Sequence, residues 1–170
     1  MEGATDDPGF SDEQRSGLEA RKADRDRTLD AMHRLEAALS EAAPGREGPW
    51  REAVLDALAV LGEATAEEAD NARRPDSLLS DLARTQPMLR NRARALRLQY
   101  EKLRDTIVSL RGEFQGPEGT PIDYADVRQR LGWVLTGLRH QRARESDLIY
   151  EAYYDAFKTE LGAFRDGGDA

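Results

Sequence analysis

The chain has no cysteine and only two histidines in 170 residues. The missing thiols exclude disulfides, thiolate zinc sites, iron–sulfur clusters and cysteine nucleophiles. With histidine so scarce, no general base is evident for a Ser-His-Asp arrangement. Long apolar runs are missing too: none approaches the roughly 20 residues that a membrane-spanning helix needs. The opening "MEGATDDPGFSDEQ" lacks the basic and apolar regions of a secretory leader, so a cytoplasmic location is expected. Alternating β-branched runs are absent, which leaves no strand candidate. There is no phosphate-cradling loop either, since "QGPEGTP" has the proline spacing of a turn.

What the chain does have is charge and helical periodicity. Charged residues make up 34% and hydrophobic residues 39%, the balance of a soluble, strongly amphipathic helical domain. A net charge of −8 argues against a nucleic-acid partner. The basic runs "RNRARALR" and "RKADRDR" lie among matching acids and read as solvated helix faces.

Residues 1–10 read as a disordered acidic tail, 11–165 as one helical domain and 166–170 as a second tail. "SDEQ" at 11–14 is a capping box that starts a first helix lasting to about Ala43. Pro49 suits the first turn of a second helix, which ends near Ala72. "RRPDSLLSDLARTQP" links to the third helix and holds a short helix of its own, capped by Asp76 or Ser77. A third helix runs from about Met88 to Phe114, and a fourth from about Ile122 to Phe164.

The spacing of apolar residues supports this division. Leu89, Ala93, Leu96, Tyr100, Leu103, Ile107, Leu110 and Phe114 alternate steps of four and three along the third helix. Val54, Leu58, Leu61, Thr65 and Glu68 do so in the second, and Val127, Leu131, Val134, Leu138, Gln141, Glu145, Leu148 and Ala152 in the fourth. An all-α, up-down-up-down four-helix bundle is expected, with a short extra helix between helices two and three.

Polar residues interrupt these seams at one level: Thr65 and Glu68, Tyr100, then Gln141 and Glu145. Inward polar groups at matching depth are how bundles build metal and cofactor sites, so these five form a candidate pocket. Over residues 29–157 the chain resembles the hemerythrin-like family, a four-helix bundle with a di-iron site of histidines and carboxylates. The clearest patch is "PDSLLSDLARTQPMLRNRARALRLQYEKL", the cadence that leads in that family to Glu-His followed by leucine. Here the pair is Gln99-Tyr100. The family's His-x-x-x-Glu of helix two falls on "LGEATAEE", with Ala64 in the histidine's place and Glu68 kept. In helix four the frame set by Leu138 puts Gln141 at the histidine position and keeps Glu145.

His140 offers an alternative five-residue spacing to Glu145, and helical geometry weighs against it. At about 100° per residue, Glu145 centres the stripe of Val127, Leu131 and Leu138, while His140 lies about 140° away. His33 lies more than about 100° from the stripe of Leu29, Met32, Leu35 and Leu39. Both read as flank residues, leaving no assigned metal ligand and no expected cofactor. The resemblance then implies a non-catalytic binding, regulatory or scaffold module with a degenerate site. The alternative is an iron-binding oxygen, nitric oxide or redox sensor or carrier, with Glu68 and Glu145 in a carboxylate-only site.

Past Leu148 a second stripe appears: Tyr150, Tyr153, Tyr154, Phe157, Leu161 and Phe164. Two covers are open to it. Leu78, Leu79, Leu82 and Met88 of the connection can lie over it, or a second chain can, with Tyr150, Tyr153, Tyr154 and Phe157 as the surface of a weak homodimer or protein partner.

Overall fold

The computed structural model describes residues 9–41, 43–117 and 120–166. Among these residues every regular element is helical and no strand occurs. Helix α1 spans Asp12–Ser40, α2 Glu47–Arg73, α3 Leu78–Thr85, α4 Arg90–Gln115, α5 Tyr124–Ala152 and α6 Tyr154–Asp166. A 3-10 turn at Pro87–Leu89 leads into α4, two residues later than the Met88 start expected from sequence. The expected N-terminal tail lies outside the described residues except for Gly9 and Phe10, and 167–170 of the C-terminal tail also lie outside.

Local chemistry explains where the helices begin. Ser11 accepts from the Gln14 backbone and Gln14 answers to the Ser11 backbone, both at 3.1 Å, so the capping box closes. Ser77, rather than Asp76, caps α3, and Asp123 caps α5 by accepting from Ala125 and Asp126. Gly45 turns the chain between α1 and α2 at a φ of 76°, where a side chain would be strained.

The long helices pack antiparallel in the pairs α1 with α2, α2 with α4, and α4 with α5, as in a bundle. Two apolar clusters result. One is centred on Met32, Leu35, Leu58, Leu61, Ile107 and Leu131. The other, at the opposite end, joins Leu78, Leu79 and Leu82 of α3 to Leu89, Leu96, Leu148 and Tyr153. Between them lies a polar layer.

Three expectations need correcting here. The fourth helix is not continuous to Phe164: it breaks at Tyr153, whose φ of −117° and ψ of 26° leave the helical region. The cause is Tyr153 itself, which turns inward, donates to Asp81 Oδ2 at 2.8 Å and packs against Phe10. Nor does Met88 cover the aromatic stripe. It is 93% exposed, while its neighbour Leu89, the first residue of the α4 seam, takes the inward position. Phe10, expected in a disordered tail, instead closes this cluster, edge-on to Phe157 at 4.8 Å.

Candidate functional site

The layer between the two clusters is built around Arg21 of α1, with only 3% of its surface exposed. Its guanidinium meets Glu145 of α5 side-on: Nε donates to Oε1 at 2.6 Å and Nη2 to Oε2 at 2.7 Å. Nη2 also lies 3.0 Å from Glu68 Oε1 and 2.9 Å from the Tyr100 hydroxyl. Thr28, about two turns along α1, donates to Glu68 Oε2 at 2.6 Å. Tyr100 supplies a further donor to Glu145 Oε2 and stands 3.1 Å from Glu68 Oε1. Every oxygen of the two glutamates therefore has a protein donor. Buried carboxylates persist only when paired and hydrogen-bonded in this way.

The electrostatics follow from that inventory. Burial opposes the Arg21 charge, but Glu145, by charge and hydrogen bond, together with Glu68 outweighs it and raises the guanidinium pKa above its ordinary value. Burial pushes the Tyr100 phenol well above its usual range, reinforced by Glu145 and Glu68, so it stays protonated as a donor. The ring also lies under the Arg21 guanidinium, 5.6 Å from its centre. Two carboxylates surround a single guanidinium, and the Tyr100 and Thr28 hydroxyls supply the remaining donors. Arg21 Nη1 points to a third carboxylate, Asp24, 3.6 Å away. Asp24 is itself held by Asn71 Nδ2 at 3.0 and 3.2 Å.

The five residues expected to share a pocket divide. Glu68, Tyr100 and Glu145 come together. Thr65 is buried nearby but turns back on its own helix, donating to the Leu61 and Gly62 carbonyls. Gln141 donates to the Leu96 carbonyl at 2.9 Å, tying α5 to α4 rather than joining the cluster. Both histidines are exposed on helix flanks.

Arg21, Asp24 and Thr28 were missed by sequence reasoning, and the reading of "RKADRDR" as a solvated face is wrong at Arg21 and Asp24. A signal was present. Arg21, Thr28 and Leu35 are spaced by seven residues, so the buried seam of α1 continues through them. The expected partner surface is also redrawn. Tyr153 is buried and Phe157 half-buried, which leaves Tyr150 and Tyr154 exposed.

The donor set does not fit a di-iron centre. Such sites need several imidazoles beside bridging carboxylates, whereas both histidines are exposed and the two glutamates are lined by Arg21, Thr28 and Tyr100. The carboxylate oxygens are already engaged by Arg21, Thr28 and Tyr100. Among the described residues, no three His, Cys, Asp or Glu side chains are grouped to hold a metal ion.

Removing one donor tests the layer. Tyr100→Phe is expected to destabilise by about 1–3 kcal/mol, because Glu145 loses a buried hydrogen bond. Urea denaturation measures this, and an unchanged midpoint would mean that the acids are satisfied without the phenol. Comparison with protein-family models, curated proteins and solved structures gives no match for this chain.

Proposed function

We propose that this chain is a non-catalytic, hemerythrin-like up-down-up-down four-helix bundle whose metal site has degenerated, serving as a binding, regulatory or scaffold module. α3 is the short extra helix between the second and third helices of that bundle. The observation that supports this reading is the Arg21 guanidinium, which lies between the two carboxylates, Glu68 and Glu145, that the resemblance would assign to metal. A cation supplied by the chain lies between them and engages their oxygens. In this reading a protein partner or second copy meets the exposed part of the aromatic stripe, Tyr150 and Tyr154 with Leu161 and Phe164. The reading includes neither a nucleic-acid nor a membrane partner, and a net charge of −8 disfavours phosphate-rich surfaces.

Elemental analysis after purification without chelators tests the central part. Less than one tightly bound iron per chain is expected. Two irons per chain with an oxo-bridged absorption band would overturn the proposal in favour of a di-iron sensor or carrier.

A further inference from the structure

The polar layer is more acidic than its own cation can neutralise, and its geometry is specific. Glu145 accepts from Nε and Nη2 through its two oxygens, Glu68 accepts from Nη2 as well, and the Tyr100 hydroxyl lies 2.9 Å from Nη2. A carboxylate fork, a second carboxylate acceptor and a phenol hydroxyl together make a receptor for a planar guanidinium. We infer that the Glu68–Tyr100–Glu145 layer is a guanidinium-binding site, and that Arg21 occupies it as an intramolecular ligand.

Two features show that the occupant is separable from its receptor. The receptor side chains come from α2, α4 and α5, and the ligand from α1. The Asp12–Arg27 half of α1 has few apolar anchors and is held by polar contacts: Arg21, Asn71 to Asp24, and Arg25 to Ser146 at 2.7 Å. A cleft of about 940 Å³ between this half of α1 and the link from α2 to α3 reaches Arg21, Asp24 and Asn71. With Arg21 in place the guanidinium is closed off at the inner wall of this cleft, and truncating that side chain would open the site to a small solute.

The test is chemical rescue of Arg21→Ala in the full chain. The probe is guanidinium chloride at low millimolar concentration, far below its denaturing range, with sodium chloride at equal ionic strength as control. A ligand that binds only the folded state raises Tm by mass action, and occupancy at tenfold its Kd corresponds to about 3–5 °C for a domain of this size. That rise is expected for Arg21→Ala and not for the wild type, where Arg21 fills the site. Adding Glu145→Gln to Arg21→Ala should abolish it.

Should Arg21→Ala fail to fold alone, recovery of its helical circular dichroism on refolding with guanidinium gives the same answer. Arg21→Gln, which fills part of the space without charge, gives a second background for the Tm shift. No rise beyond the sodium control in either variant would overturn the proposal. So would an equal rise with manganese or zinc chloride, which would make the layer an unselective cation site. The inference rests on the metal-free reading of this layer, but the two fail separately. Iron in the wild-type protein would defeat the reading, and absent rescue in the variant would defeat the guanidinium site.

Discussion

Arg21→Ala is expected to destabilise the fold by about 3–5 kcal/mol, the usual cost of removing one partner from a buried ion pair. The loss is large because Glu68 and Glu145, 1% and 0% exposed, stay behind without their cation. Tyr100 and Thr28 can still donate to them, but neutral donors do not offset two desolvated charges. Adding Glu145→Gln to the variant should recover part of the loss, since an amide tolerates burial without a counter-charge. Urea denaturation of both variants beside the wild type measures these differences. A loss below about 1 kcal/mol for Arg21→Ala would mean that the guanidinium is solvated, as exposed ion pairs are.

Leu79→Asp is expected to cost more than about 4 kcal/mol, enough to leave the domain largely unfolded at ordinary temperature. Leu79 is fully buried in the cluster where α3 covers the ends of α4 and α5. A carboxylate there would be buried in the apolar cluster that includes Leu78, Leu82, Leu89 and Leu148. The effect should be independent of protein concentration, because the cover comes from the same chain. Tyr153→Asp should act in the same sense, through loss of the Phe10 contact and the bond to Asp81. Sedimentation and circular dichroism separate the alternatives. Intact helicity with a loss of assembly in Tyr153→Asp would place this residue at an interface between chains instead.

The apolar seams were legible because their steps of three and four put one residue per turn toward the neighbouring helices. Leu96, Tyr100, Ile107 and Leu110 of α4 are buried as that spacing requires. Glu68, Tyr100 and Glu145 were legible as a layer for the same reason: each interrupts a seam that is otherwise apolar. Arg21 was not, because between Leu18 and Thr28 the α1 seam has no apolar residue to mark it, and "RKADRDR" has the alternating charge of an exposed face. The missing premise was electrostatic. Two buried carboxylates demand a cation, and Arg21 is the arginine on the α1 seam at the required depth. The break at Tyr153 was hidden for a different reason. No proline or glycine marks it, and it follows from a tertiary hydrogen bond to Asp81, seventy-two residues away in sequence.

The central claim is that an arginine of α1 is locked in the core between Glu68 and Glu145. Its Nε–H points at Glu145 Oε1 across 2.6 Å, in a position closed to solvent. Nitrogen-resolved NMR of the arginine Nε–Hε groups, followed after transfer to heavy water, reads this bond directly. One Nε–Hε signal is predicted to remain long after those of exposed arginines and frayed helix ends have exchanged, and to be missing from Arg21→Lys. If every arginine signal vanished at the rate of a solvated side chain, or if the protected one survived in Arg21→Lys, the guanidinium would not be the core of this bundle.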